Sequence, residues 1–436
     1  MRKKTKVLFF FKYTGLLSVI IIILQGYRDA FTRSPFSRER LRSPQQKNIQ
    51  SRGALNIITY YGNGAEKNKT EHSTSGEENM EAGSSGTIQI ISNKSIIVIN
   101  AYLRTGSTFT ASLFETYPGV FYIFEPLHDI EKGFRAAEAA KTDVYLQYVD
   151  SSSICFQNSY RKVTISKRSS VYLEEVCSWL SCRLQDLSKT SLNEQFLSQY
   201  KTKMKPFQTC MRRAKISLNG LNYGSAITSC LKKPIQDCQS ASFVVLKFIR
   251  MRIGELASLL PYFPNMKIVH LIRDPRGMFN SRNHVGLSKV QRNSSDKDAV
   301  HGFCRLLEED LRHSKELSIS HPDKIFVLQY EDIAEHPYEW AKRLYKFAGM
   351  EYTNSTEDFV RRSTSATKDT GNMQTQRKNS TATSVKWGMQ LSAPTAMYIY
   401  NTCRKSMDIL GYLPLTTNNL RIMSVPSRHR INVTSN

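Results

Sequence analysis

Short, nearly continuous apolar runs alternate along this chain with longer segments in which apolar residues recur at helical spacing. Such runs predict strands that are buried on both faces. The predicted strands span 95–100, 120–125, 242–249, 267–273 and 324–330, and the predicted helices span 108–117, 253–260, 275–283, 298–318, 337–348 and 393–410. Strands that alternate with helices favour a mostly parallel sheet. We therefore expect an α/β fold, a single P-loop-like domain over 95–415 with helices flanking a central sheet.

The segments outside this pattern are polar or irregular. Residues 25–94 are rich in Ser, Gly, Asn, Arg and Glu, which indicates a flexible stalk, and residues 416–436 form a polar tail. Residues 150–240, which hold most of the eight cysteines, show no clear period and are predicted to be irregular. An even number of cysteines in a lumenal protein indicates disulfides, and Cys304 and Cys403, on two predicted helices, are candidates to pair with each other.

The N-terminus has the pattern of a membrane anchor. A basic tail over 1–6 precedes an apolar stretch over 7–24, whose length is near the lower limit of about 17 residues for a spanning helix. Basic residues before the span predict an uncleaved signal anchor with the N-terminus in the cytoplasm, a single-pass type II topology. The short span suits a Golgi membrane, with the main domain in the lumen. A cleaved signal peptide is the alternative.

Residues with phosphate-binding chemistry follow the first predicted strand. Gly106 permits a tight turn, and Ser107 or Thr108 can begin the next helix. Such a turn aims free N–H groups at an anion, and the guanidinium of Arg104 can fork onto phosphate oxygens. Turns of this composition are also common where no ligand binds, so this segment alone leaves both interpretations open.

A second turn of the same kind follows the strand 267–273. Arg273 stands at the carboxyl end of the strand, where open α/β sheets bind ligands. Asp274 can cap the next helix, Pro275 suits its first position, and Ser281 lies about two helical turns further on. The alternative is that Arg273 and Asp274 form only a structural ion pair.

Together the two turns indicate a nucleotide that carries phosphates at both ends of its ribose. The sulfuryl donor 3′-phosphoadenosine 5′-phosphosulfate has this form. The full Walker A pattern is absent, and no nearby Asp is obviously placed to hold Mg²⁺. An ATP or GTP enzyme is therefore disfavoured, and no metal cofactor is expected.

The two turns resemble the donor-binding loops of Golgi carbohydrate sulfotransferases. Arg104-Thr-Gly-Ser-Thr-Phe109 is similar to the loop for the 5′-phosphosulfate, and Arg273-Asp-Pro-Arg-Gly-Met-Phe-Asn-Ser281 to the loop for the 3′-phosphate. Further similar segments follow in order at Val120–His128, Tyr330–Ile333, Tyr345–Gly349, Gln376–Ser380 and Lys386–Trp387. The branch that sulfates the 6-hydroxyl of Gal, GalNAc or GlcNAc, such as chondroitin and keratan sulfotransferases, is the most similar.

The resemblance implies a set of residues that bind the donor. Two of them, in the segment Gln376–Ser380, would close over the nucleotide. The full set is Arg104, Thr105, Gly106, Ser107, Thr108, Phe109, Arg273, Asp274, Pro275, Arg276, Ser281, Arg377 and Lys378.

The implied reaction needs a base for the sugar hydroxyl and cations for the leaving phosphate. Glu125, at the end of the strand 120–125, is the leading candidate for the base, and His128 is the second. Arg104 would stabilise the leaving 5′-phosphate. The alternatives are that Glu125 only orients Arg104 or caps a turn, and that His128 is structural. Three cations near residue 250 either line the cleft or form a solvated strand end: Lys247, Arg250 and Arg252.

The formal net charge of +24 bears on the partners. Residues 1–60 hold 12 Lys/Arg and 2 Asp/Glu, which explains less than half of it. The remainder fits an anionic donor and an anionic glycan acceptor, because basic clefts concentrate such ligands. No zinc-finger spacing, RNP motif or basic heptad points to nucleic acid.

Two other functions remain open on the sequence alone. One is a sulfotransferase of another acceptor class, such as a tyrosylprotein or heparan sulfotransferase. The other is a non-catalytic, glycan-binding membrane protein on the same fold. Retention of Arg104, Glu125, Arg273 and Ser281 argues against the second, because binding alone would not need both phosphate loops.

Overall fold

The computed structural model of the chain describes residues 91–115, 117–148, 159–193, 195–198, 203–217, 223–287, 294–371 and 374–414. The predicted cytoplasmic tail, membrane anchor and C-terminal tail, nearly all of the stalk, and Cys155 lie outside these ranges. None of the helices in them combines the length and the apolar composition that crossing a membrane requires.

A five-stranded parallel sheet forms the centre of the domain. Its strands, in the spatial order β2-β5-β1-β6-β7, are β1 (Ser95–Ala101), β2 (Val120–Phe124), β5 (Phe243–Phe248), β6 (Met266–Ile272) and β7 (Ile325–Gln329). The remaining two strands, β3 (Val144–Tyr148) and β4 (Ser159–Val163), form a separate antiparallel hairpin. The parallel sheet confirms the predicted α/β class, and all five predicted strands are present within one or two residues of their predicted bounds.

Helices cover both faces of the sheet. They are α1 (Ser107–Glu115), α2 (His128–Ala140), α3 (Arg168–Leu180), α4 (Lys189–Leu192), α5 (Lys205–Ser217), α6 (Tyr223–Ser240), α7 (Ile253–Ala257), α8 (Pro275–His284), α9 (Ser294–Ser320), α10 (Tyr330–Glu335), α11 (Pro337–Ala348), α12 (Asn354–Thr364), α13 (Ser380–Val385), α14 (Trp387–Gln390), α15 (Ala393–Thr402) and α16 (Arg404–Ile409). The predicted helix 393–410 is two helices, because the chain turns at Cys403.

Alternate residues of each central strand enter two separate cores. In β1, Ile96 and Val98 pack on one face, while Ile97 and Ile99 pack on the other, and all four are essentially unexposed. A strand buried on both faces needs an apolar residue at every position, which explains the continuous runs in the sequence.

The prediction that residues 150–240 are irregular is wrong. Helix α3 buries an apolar face, and α5 and α6 pack against each other. In α3 the face is completed by Cys177 and Trp179 and is interrupted by the buried Glu175, which hides its period in the sequence. The region is thus a helical extension of the domain.

Among the described residues, three disulfides fix the helices. Cys182–Cys238 and Cys210–Cys230 lie within the extension, and Cys304–Cys403 joins α9 to the end of α15. The last pairing confirms the candidate pair. Cys177 is buried and forms no disulfide with another described cysteine.

Candidate active site

The turn between β1 and α1 is held tightly by its own residues. Thr105 is fully buried, and its hydroxyl donates to the Tyr102 carbonyl at 2.7 Å. Arg104 (φ 74°) and Gly106 (φ 86°) both lie in the left-handed region. A Cβ on Gly106 would lie 2.4 Å from Cδ2 of Tyr330, so only glycine fits beneath this ring.

The structure brings the two predicted phosphate loops together. The Nε of Arg104 donates to the Ser281 hydroxyl at 3.0 Å, and Nη1 of Arg273 donates to the Arg104 carbonyl at 3.0 Å. The Arg273 guanidinium lies over the Tyr330 ring, with Cζ 4.4 Å from the centroid. Residues that are far apart in the sequence therefore form one cationic site at the carboxyl ends of β1 and β6.

One hydrogen-bond donor in this site has no partner among the described residues. Arg273 is only 8% exposed, and its buried Nε has no hydrogen-bond partner among the described residues. A buried donor without an acceptor is destabilising unless a ligand supplies the acceptor. The residues present therefore fit an anionic group such as a phosphate.

Other residues of the predicted donor set make well-defined contacts within the protein. Arg276 is completely buried, binds both carboxylate oxygens of Asp274, and donates to the Leu413 carbonyl at 3.0 Å. Asp274 also caps α8. Phe109 stacks on Phe359 at 5.9 Å in the core. These contacts of Arg276 and Phe109 are structural, and the predicted contact of the two residues with the donor stays a prediction.

Arg377 and Lys378, the two candidates from the segment Gln376–Ser380, contact residues outside the two phosphate loops. Within the described chain, the Arg377 backbone pairs with Ser363 and Ala366, and the Lys378 backbone donates to Asp369. Lys378 lines a cleft of about 490 Å³ beside the start of α11. Their contact with the nucleotide stays a prediction.

Glu125 follows β2 directly and forms a buried ion-pair cluster. Its backbone is left-handed (φ 47°), and its carboxylate binds Nζ of Lys247 and, at 2.5 Å, Nη1 of Arg250. Burial alone would raise the pKa of this carboxyl, but the two cations outweigh it and lower the pKa to about 2. Glu125 is therefore an anion that neutralises two cations, a role that the alternatives considered from the sequence did not include.

Lys247 belongs to the same cationic site. It is 2% exposed at the carboxyl end of β5, and its Nζ lies 4.3 Å from the centroid of the Phe124 ring. Burial lowers the pKa of Lys247, although Glu125 opposes the shift, and Arg104 lowers it further. The alternative of a solvated strand end is thus excluded for Lys247. Arg252 turns away toward Asp310 on α9.

His128 lies close to Glu125 at the start of α2. Its Nδ1 is 3.1 Å from Asp129, and its ring centroid is 4.5 Å from that of Phe196, a residue of the helical extension. Phe196 also packs edge-on against Phe124. The extension therefore forms one wall of the site, a contribution that could not be predicted because residues 150–240 show no clear period in the sequence.

The shifted pKa of Glu125 predicts a pH-dependent stability. Its folded value of about 2 is below its ordinary value of 4.5, so the stabilisation is complete above about pH 4.5 and is lost as the pH falls toward 2. The contribution is about 3 kcal/mol. Urea unfolding between about pH 5 and pH 2 should show a steeper loss of unfolding free energy in the wild type than in Glu125→Gln. Parallel curves would contradict this assignment.

Within the described residues, no group of three His, Cys, Asp or Glu side chains is arranged to hold a metal ion. The cationic site contains Arg104, Lys247, Arg250 and Arg273 at one edge of the parallel sheet, together with the single carboxylate of Glu125. Such a site can bind a polyanion and stabilise negative charge that develops on it.

Comparison with known proteins agrees with this chemistry. The sulfotransferase family model matches residues 97–354. Carbohydrate sulfotransferase 3 of Mus musculus is 25% identical over 72% of this chain and 67% of the relative. The protein of the same name from Tetronarce californica is 25% identical over 76% of each chain, and carbohydrate sulfotransferase 4 of Mus musculus is 24% identical over 77% of this chain and 87% of the relative.

Solved structures are more distant. The sulfotransferase domain from the curacin biosynthetic pathway is 14% identical and covers 74% of this chain and 99% of that chain, with a TM-score of 0.39 that is too low to support an argument. The family model, in contrast, matches more than half of the chain. This chain belongs to the sulfotransferase family and is an enzyme of that family.

Proposed function

We propose that this enzyme transfers a sulfuryl group from 3′-phosphoadenosine 5′-phosphosulfate to a sugar hydroxyl, the 6-hydroxyl of Gal, GalNAc or GlcNAc in an anionic glycan. The observation that carries the proposal is the contact between the two loops, in which Arg104, Arg273 and Ser281 form one site with a spare buried donor. The names of the carbohydrate sulfotransferase relatives support a sugar acceptor.

The donor supplies the sulfuryl group, and the residues around the two loops provide its binding site. Arg273 and Ser281 bind the 3′-phosphate, and the N-terminus of α1 with Arg104 binds the 5′-phosphosulfate. Tyr330 covers Gly106 and the Arg273 guanidinium, which keeps this cation in place. Arg104 and Lys247 then stabilise the charge that develops on the leaving phosphate.

Glu125 accepts the proton of the acceptor hydroxyl in this proposal, with His128 as the second candidate. A carboxylate with a pKa of about 2 is a poor base, because an efficient base has a pKa near the working pH. We infer that the sulfuryl group and the anionic acceptor attract Lys247 and Arg250 away from Glu125. The pKa of Glu125 then rises when both substrates are bound. Glu125 therefore becomes an efficient base only in the complex with both substrates.

We propose that the predicted N-terminal anchor holds this activity in the Golgi lumen. A basic tail and an apolar stretch precede the domain in the sequence, which is the pattern of a signal anchor. The full-length protein should resist extraction by alkaline carbonate. A secreted product that begins within residues 20–35 would show that the segment is cleaved.

Calorimetry with product analogues tests the donor assignment. The full-length enzyme should bind 3′,5′-adenosine bisphosphate at least about 10²-fold more tightly than 5′-AMP, because a charge-assisted contact to the 3′-phosphate is worth about 1.5–3 kcal/mol and the unpaired Arg273 adds to the difference. Equal affinity for the two nucleotides would contradict the assignment.

A methyl group at Gly277 should weaken the same contact. A Cβ at this position would lie 3.1 Å from Nε of Arg273 and 3.0 Å from Cδ1 of Trp387, so the guanidinium must shift. We expect Gly277→Ala to bind 3′,5′-adenosine bisphosphate about 10-fold more weakly, with the affinity for 5′-AMP unchanged.

Gly302→Ala is the matched control for this substitution. Gly302 also lies in a helix, α9, and a Cβ there would meet no atom within 4 Å. The control should keep the nucleotide affinity and gain about 0.5–1 kcal/mol of stability from helix propensity. If both variants bind the bisphosphate as the wild type does, Gly277 does not set the position of Arg273.

A further inference from the structure

A ring of buried and half-buried hydrogen bonds lies behind the cationic site, between the sheet and α9. The Tyr102 hydroxyl donates to Oδ2 of Asp310 at 2.8 Å and lies 3.0 Å from Nε2 of His270. The Nδ1 of His270 is 2.7 Å from the Ser314 hydroxyl. Asp310 and Ser314 are one turn apart on α9, so the ring begins and ends on the same helix.

The directions of these bonds follow from the proton count. The single hydroxyl proton of Tyr102 goes to the carboxylate of Asp310, so Nε2–H of His270 must donate to the Tyr102 oxygen. Burial lowers the pKa of His270 to about 4, which leaves the ring neutral at higher pH. The unprotonated Nδ1 then accepts from Ser314, and each member of the ring has a partner.

The second oxygen of Asp310 extends the ring to another strand. Oδ1 accepts from the backbone N–H of Ile253 at 3.0 Å and from Nε of Arg252 at 3.1 Å. Both residues follow β5. Asp310 itself is 0% exposed. A single carboxylate therefore contacts the chain beyond β1 and β5 directly, and β6 through Tyr102 and His270.

Each of these three attachments is close in sequence to a cation of the site. Arg104 comes two residues after Tyr102, Arg250 two residues before Arg252, and Arg273 three residues after His270. The spacing of the cations thus depends on how the three strand ends are held relative to one another.

We propose that Asp310 is a positioning residue of the donor site, which fixes the relative positions of the strand ends that carry Arg104, Arg250 and Arg273. This inference rests on the proposed function, since it concerns the binding of the donor. An apolar contact between α9 and the sheet would stabilise the fold without fixing these distances. Directional bonds to one carboxylate do fix them, and a misplacement of about 1 Å in such a site can lower the rate about 10²-fold.

The test compares two variants of the ring with a control. Tyr102→Phe removes one hydroxyl and keeps the ring that packs at 5.2 Å from Phe303, and Asp310→Asn removes the charge with little change of shape. Tyr345→Phe is the control, because it removes a buried hydroxyl that donates to the Leu113 carbonyl on the other face of the sheet, whereas the Tyr102 hydroxyl is half-buried.

We expect Tyr102→Phe to bind 3′,5′-adenosine bisphosphate about 10-fold more weakly and to raise the KM for the donor, and Asp310→Asn to exceed both effects. Tyr345→Phe should lose a similar amount of stability in thermal unfolding and keep the wild-type affinity and KM. A purely structural role would lower the melting temperature of all three variants and leave these two quantities unchanged.

The outcomes separate this inference from the proposed function. If the wild type does not bind the bisphosphate, the proposed function fails. If the wild type binds it and Tyr102→Phe binds equally well, the positioning role of the ring is overturned, whatever the result for Asp310→Asn. If Asp310→Asn does not fold, the affinity and KM of Tyr102→Phe decide the question.

Discussion

Glu125→Gln should lower turnover about 10²- to 10⁴-fold, the usual contribution of a positioned base. Gln keeps the shape and much of the hydrogen bonding but cannot accept the proton. The affinity for 3′,5′-adenosine bisphosphate should not fall, because Glu125 is assigned to the acceptor and its substitution frees Lys247 to contact the 5′-phosphate. The variant should also lose about 3–5 kcal/mol of stability, because Lys247 and Arg250 would remain buried without their counter-charge.

A matched control separates the loss of the base from the loss of stability. Glu131 lies one turn beyond His128 on α2, is 7% exposed, and binds Arg135 and the Tyr172 hydroxyl. Glu131→Gln should also destabilise the fold, though by less because Arg135 is 37% exposed, and should keep its turnover per folded molecule. Turnover should therefore be measured under conditions where circular dichroism shows both variants folded.

Substitution of His128, the second candidate for the base, shows whether the assignment to Glu125 is correct. His128→Ala should lower turnover much less than Glu125→Gln. If Glu125→Gln is nearly as active as the wild type and His128→Ala is inactive, the two roles are exchanged. If both variants are active, the base lies elsewhere, for example in the helical extension that reaches the site through Phe196.

Arg273→Ala should weaken the binding of 3′,5′-adenosine bisphosphate by about 10²-fold or more. The substitution removes a charge-assisted contact and leaves the 3′-phosphate unpaired in a buried site. The affinity for 5′-AMP should stay within about twofold, because this nucleotide lacks the 3′-phosphate. Calorimetry with the two ligands measures both values.

Arg343→Ala is the control for the change in net charge. Arg343 is exposed on α11 and pairs with Glu339, so its removal should leave both affinities unchanged. An equal loss of affinity for the two nucleotides in Arg273→Ala would move Arg273 from the 3′-phosphate to a part of the ligand that they share.

The sequence predicted the sheet and the two phosphate loops because their determinants are local. A strand buried on both faces must be apolar throughout, and each loop needs its Gly, Ser or Arg at a fixed offset from the strand end. The two loops also lie at the same edge of the sheet, because the carboxyl ends of parallel strands are on one side. The contact of Arg104 with Ser281 therefore agrees with the predicted arrangement.

The roles of buried charges could not be predicted in this way. Whether a polar residue faces a ligand or a partner depends on tertiary contacts, so the sequence alone could not show that Arg276 is held by Asp274. The same reason hid the pairing of Glu125 with Lys247, and the junction of three strand ends at Asp310. Asp310 lies in an ordinary amphipathic helix, with no local pattern to mark it.

Transfer of label from a sulfur-radiolabelled donor to a panel of desulfated glycosaminoglycans and glycoprotein glycans tests the central claim most directly. We expect the wild-type enzyme to label at least one glycan, with the label on the 6-hydroxyl of Gal, GalNAc or GlcNAc after digestion to disaccharides, and Glu125→Gln to label it at least about 10²-fold more slowly. An enzyme that binds 3′,5′-adenosine bisphosphate and labels none of these glycans would contradict the sugar acceptor. Label on a different hydroxyl would contradict the proposed position of transfer.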